Sequence, residues 1–125
     1  MKTVDDYLKE ANAVVPRITP EEGIARHKAG KTVFIDVRDG LDIQKSGTIA
    51  GAKRLERGFI EFAATEGHAK HKPYFQKDAD IVLVCGAGGM AALAGKTLIE
   101  MGYKHVSNVG GFKAWKDAGG PSEEG

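Results

Sequence analysis

"VLVCGAGGMAALAGKTLIEMG", residues Val82–Gly102, decides the fold class of this chain. Its first residues are apolar without alternation, the pattern of a strand buried on both faces of a parallel sheet. The run stops at Cys85, and Gly86, Gly88 and Gly89 follow before polar and apolar positions settle into helical spacing. Met90, Leu93, Ala94, Thr97, Leu98 and Met101 then fall on one stripe, and Gly102 suits the end of that helix. A strand, a glycine loop and a helix in this order form half of a parallel βαβ unit. Cys85 is the only cysteine. One reading makes it a small buried hydrophobe. The other makes it a thiolate held by backbone N–H groups at a helix N-terminus.

Working outward, the same alternation recurs. "KTVFIDVRDG" supplies a β-branched and aromatic strand over Val33–Val37, and "HVSNV" a further one, with a brief strand expected near Lys53–Leu55. Before the first of these strands, Val4, Tyr7, Leu8 and Ala11 share a helical face, placing an N-terminal helix over 3–13. "ITPEEGIARHKAG" reads as a second helix, with Thr19 as its cap and Pro20 in its first turn. "FKAWKDAGG" reads as the last helix, where Phe112 and Trp115 are core anchors. A short helix is expected after Gly58, then an exposed basic loop containing His68 and His71. The result is a three-layer α/β arrangement with a mainly parallel sheet. Ligands in such sheets bind outside the carboxyl ends of the strands, which is where Cys85 stands.

Bulk properties agree with one globular domain over 1–125, its core at about 18–118 and a frayed tail at 120–125. Apolar residues make up 42% and charged residues 28%, which are globular proportions. A net charge of +1 gives no reason to expect nucleic acid or an anionic membrane as partner. A single cysteine makes no internal disulfide, and the charged N-terminal stretch "MKTVDDYLKE" does not read as a signal peptide. The expected location is therefore cytoplasmic. His68 and His71 have no second ligand cluster, so no metal site is expected, and no cofactor is called for.

In the loop, glycines permit positive φ, so that successive N–H groups of Gly86, Ala87, Gly88, Gly89 and Met90 can converge on the sulfur. The start of the following helix adds its positive dipole end. Such a cradle stabilises a thiolate, or the charged outer sulfur of a persulfide. Asp36, at a strand end beside Arg38, reads as an ion-paired structural carboxylate rather than a base.

Taken together, "VFIDVRD", "SGTIAGAKRL", "DIVLVCGAGG" and "MGYKHVSNVGGFKAWKDAG" resemble, in order and spacing, the single-domain rhodanese-like sulfurtransferases. The likeness extends from about Ile18 to Ala118. It implies an α/β fold with a central five-stranded parallel sheet, and a cysteine that receives sulfane sulfur as a persulfide. Cys85 matches the family nucleophile, and Gly86 through Met90 its active-site loop. Asp36 and Arg38 match a structural pair, and Arg57 a basic position near the pocket mouth that is read as substrate-binding. The implied partners are a small sulfur donor and a thiol, cyanide-like or protein acceptor.

One departure bears on the donor. Active members commonly show Cys-x-x-Gly-x-Arg followed by Ser or Thr, whereas this chain has Met90 and Ala91 there. A charge-assisted hydrogen bond is worth about 1.5–3 kcal/mol, so its loss costs roughly one to two decades in handling thiosulfate. The donor is then thiosulfate, poorly held, or a persulfide. The alternative is a non-catalytic rhodanese-like module for binding or redox sensing through Cys85. Cysteine phosphatases use Cys-x5-Arg, but the sixth residue after Cys85 is Ala91, which excludes that loop chemistry.

Overall fold

The computed structural model describes residues 1–125. In chain order the first half contains α1 (Val4–Val14), α2 (Pro20–Ala29), β1 (Thr32–Asp36), α3 (Gly40–Ser46), β2 (Thr48–Ile49) and β3 (Lys53–Arg54). The second half contains α4 (Ile60–Ala63), β4 (Asp80–Cys85), α5 (Gly89–Glu100), β5 (His105–Gly111), α6 (Phe112–Asp117) and β6 (Ser122–Glu123).

The main sheet runs β3-β1-β4-β5, parallel throughout. It has four strands where five were expected. The outer place beside β5 is taken by a single bridged residue, Arg17, opposite Asn108. There, Ile18 N–H donates to the Asn108 carbonyl and Asn108 N–H donates to that of Pro16. Pro16 has no N–H to extend such a ladder, and Thr19 already caps α2 by accepting from Glu22 N–H at 3.1 Å. The segment is thus too short to become a strand.

The alternation of β4 explains its apolar run. Val82 and Val84 pack with Phe34, Val109, Phe112 and Trp115 under α2 and α6. Ile81, Leu83 and Cys85 pack on the opposite face with Ala91, Ala94 and Leu98 of α5. Both faces are covered, so no polar position interrupts the strand. The parity also fixes which layer the thiol enters: it points toward α5.

β5 carries an irregularity that matters for the site. Leu83 pairs with Asn108, but Val84 pairs with Gly110, so Val109 is an extra residue. This bulge turns the end of β5 toward the cysteine loop.

Three other expectations are corrected. The tail, expected to fray from Gly120, is ordered: Ser122 and Glu123 pair antiparallel with Ile49 and Thr48. Arg54 gathers it by donating to the carbonyls of Glu124 and Gly125 and to the Glu123 carboxylate. The loop after α4 is not wholly exposed, because Phe75 is buried and stacks edge-on against Tyr103. Met90, the first residue of the stripe expected along α5, does not pack with it but is 42% exposed. No helix is long and apolar enough to cross a membrane.

Candidate active site

Cys85 ends β4 because the chain must leave the sheet there, and glycine makes the departure tight. Gly88 adopts φ +104°, a left-handed conformation costly for residues with a Cβ. That turn brings Gly88 N–H to 3.0 Å and Ala91 N–H to 3.3 Å from Cys85 Sγ. α5 begins at Gly89, so Gly89 and Met90 carry N–H groups with no partner one turn earlier. The sulfur thus faces a cluster of amide donors and the positive end of a helix dipole. Cys85 is 1% exposed, so the sulfur lies beneath the loop rather than at open surface. The larger surface clefts lie elsewhere, for example between Gln44–Gly47 and the tail.

The loop is held from the β5 side by Asn108, which is 1% exposed. Its side-chain Nδ2 donates to the Gly88 carbonyl at 2.9 Å, and its Oδ1 accepts from Gly110 N–H at 2.8 Å. A carbonyl on one side and an N–H on the other leave the amide one consistent orientation. Nothing in the local sequence marks Asn108 for this task. Its partners are brought to it by the β5 bulge and by the pairing of β4 with β5.

Asp36 and Arg38 form a fully partnered buried pair. Arg38 Nη2 donates to Asp36 Oδ2 at 2.7 Å, and Nε to Oδ1 at 3.1 Å. Thr48 Oγ1 donates to Asp36 Oδ2, while Arg38 reaches Ser46 and the Gly47 carbonyl. The Arg38 guanidinium lies 5.2 Å from the Phe112 ring centre. These contacts tie the end of β1 to the α3–β2 connection and to α6, on the sheet face opposite the thiol.

The structure does not bring Arg57 to the sulfur. Its guanidinium donates to Glu61 at 3.1 Å and to Thr97 Oγ1 at 3.0 Å. Thr97 sits about 12 Å along α5 from its first residue, at 1.5 Å per residue. Burial works to raise the Glu61 pKa, but its own backbone N–H and the Arg57 guanidinium outweigh it and hold the carboxyl below its ordinary value. Both partners are thereby committed. His68 Nδ1 accepts from Lys70 N–H, and its ring packs on Phe62.

A parallel α/β sheet that ends a buried strand in a cysteine, wraps the sulfur in glycine-loop amides and continues into a helix defines a class of thiol-bearing domains. The family model of the Rhodanese-like domain matches residues 19–118, and the chain belongs to that family. A solved structure from Rhodopseudomonas palustris, a protein of unknown function described as a possible tyrosine phosphatase, is similar at 40% identity and a TM-score of 0.92. The match covers 98% of this chain and 96% of that one. The polysulfide-sulfur transferase homodimer of Wolinella succinogenes is similar at 28% identity and a TM-score of 0.75, over 94% and 85% of the two chains. Protein High Arsenic Content 1, mitochondrial, of Arabidopsis thaliana is 44% identical over 45 residues, which are 35% of this chain and 27% of that protein. That curated relative is thus matched over about a quarter of its length.

Proposed function

We propose that this protein is a sulfurtransferase in which Cys85 carries sulfane sulfur as a persulfide. The observation that supports it most is the pair of amide donors on Cys85 Sγ at the start of α5. The Cys85 thiolate attacks the outer sulfur of a donor. With thiosulfate, the S–S bond breaks toward sulfite, which leaves with the electron pair, and the protein is left as Cys85–S–S⁻. With a low-molecular-weight persulfide, the leaving group is the thiolate of that molecule and takes up the proton. A thiolate or cyanide then attacks the outer sulfur, and Cys85 departs as thiolate. The amides of Gly88 and Ala91, which already point at the sulfur, together with those of Gly86, Ala87, Gly89 and Met90 in the same loop, stabilise the anionic sulfur in each state. Asp36 and Arg38 hold the frame, and no cofactor takes part in the cycle.

The phosphatase description of the Rhodopseudomonas relative does not carry over to this loop. Holding a phosphoryl dianion there calls for an arginine, and positions 90 and 91 are Met and Ala. The test is turnover: thiocyanate formation from cyanide, with thiosulfate or glutathione persulfide as donor, compared with Cys85→Ser. Turnover that vanishes in the folded variant supports the reading. Turnover unaffected by the substitution, or none with either donor, overturns it in favour of a binding or sensing module.

A further inference from the structure

Five arginines are present. Four of them, Arg26, Arg38, Arg54 and Arg57, are paired to carboxylates. Arg17 is the exception and makes no ion pair or side-chain hydrogen bond with the protein. Its backbone bridges to Asn108, the residue that pins the cysteine loop, and its side chain runs forward along β5 onto that loop. A Cβ at Gly88 would lie 3.0 Å from Arg17 Nη1, and a Cβ at Gly110 would collide with Nη2. Gly110, like Gly88, has positive φ, at +94°. The two positions without side chains therefore form the bed on which this guanidinium lies. The path through the Gly88 N–Cα bond puts Nη1 within about 9 Å of Cys85 Sγ. Arg17 is itself solvent-exposed.

We infer that Arg17 is the anion-selecting residue of the Cys85 site. It supplies, from outside the loop, the positive charge that Met90 does not supply from within it. Its unpartnered guanidinium lies close enough to favour anionic reactants over neutral ones of the same shape. The reactants selected are small anions such as thiosulfate or a carboxylate-bearing persulfide. The thiosulfate part of this inference rests on the sulfurtransferase reading. Charge selection at the thiol does not.

The test separates the two. Iodoacetate and iodoacetamide both alkylate Cys85, forming a C–S bond and releasing iodide, but only the first is anionic. The ratio of their rate constants, normalised to that of glutathione, reports the local potential. A unit charge at roughly 8 Å in a medium between water and protein interior changes such a ratio about fivefold. The ratio is expected to fall about fivefold in Arg17→Gln and to be kept in Arg17→Lys, which preserves the charge. In the unmodified protein it is expected to fall toward the glutathione value as salt is raised to about 0.5 M. Sulfur loading of Cys85 from the dianion thiosulfate is expected to slow about twentyfold in Arg17→Gln. An unchanged alkylation ratio, an equal fall in Arg17→Lys, or a ratio insensitive to salt overturns the inference. If Cys85 takes sulfur from no donor while the ratio still falls, the sulfurtransferase reading fails and the anion selection by Arg17 stands.

Discussion

Replacing Asn108 with Leu keeps the branching and heavy-atom count of a buried side chain and removes both hydrogen bonds that tie the cysteine loop to β5. The cost follows from the two partners, which are not equivalent. The Gly88 carbonyl retains a second donor, Ala92 N–H at 3.0 Å, so its loss is that of one ordinary bond, about 0.5–1.5 kcal/mol. Gly110 N–H is buried and loses the acceptor it has in Asn108 Oδ1, at about 1–3 kcal/mol. The sum, about 1.5–4.5 kcal/mol, lowers Tm by about 6–18 °C for a chain of this size. Asn108→Asp is expected to be worse than Asn108→Leu at neutral pH. It sets a carboxylate oxygen against the Gly88 carbonyl and buries a charge whose bonded donor is the single N–H of Gly110. Function shifts with it, because Gly88 N–H is one of the two donors on Cys85 Sγ. Sulfur loading of Cys85 in Asn108→Leu should slow at temperatures where the variant is fully folded. Differential scanning calorimetry and a loading time course check both parts. A Tm within about 3 °C of the unmodified protein, with unchanged loading, refutes the assignment of Asn108 as the anchor of the loop.

Other perturbations follow from the same geometry. Asp36→Asn leaves the Arg38 guanidinium buried without its carboxylate and should cost about 3–5 kcal/mol, read from urea unfolding. A loss under about 1 kcal/mol would contradict the structural role of the pair. Met90→Arg should raise kcat/KM for thiosulfate by roughly one to two decades, with a smaller gain for glutathione persulfide, and no gain would show that the loop cation is not what this site lacks. The tail clasp should depend on pH. Gly51 N–H and, behind it, Arg54 hold the Glu123 carboxyl below its ordinary value of 4.5. A depressed folded value means that the contribution is complete above about pH 4.5 and is lost as pH falls through the lowered value. The protection factor of the Gly51 amide, its slowing relative to an unstructured chain at the same pH, should therefore fall on acidification through that window, and a protection factor unchanged down to about pH 2 would refute the clasp.

The central features were readable because they are local. β4 shows as an unbroken apolar run, the departure from it as glycines around Cys85, and α5 as a stripe at helical spacing. Asp36 and Arg38 stand two apart, and their pairing needs nothing from the rest of the chain. What could not be read depends on distant partners. The tail is ordered by Arg54, about seventy residues earlier. The expected fifth strand is cut to one bridged residue by Pro16 and the α2 cap. Asn108 and Arg17 reach the loop through the pairing of β4 with β5 and the bridge of Arg17 to Asn108, contacts between segments far apart in the chain that leave no local signal. Met90 follows the apolar spacing of α5, yet the helix start projects it outward beside the loop.

The proposed sulfurtransferase activity stands or falls on Cys85 accepting sulfur. Intact mass of the reduced protein should be recorded after incubation with thiosulfate and, separately, with glutathione persulfide. A gain of one sulfur atom is expected from at least one donor, absent in Cys85→Ser and reversed by cyanide. No gain from either donor on a folded, reduced protein would contradict it.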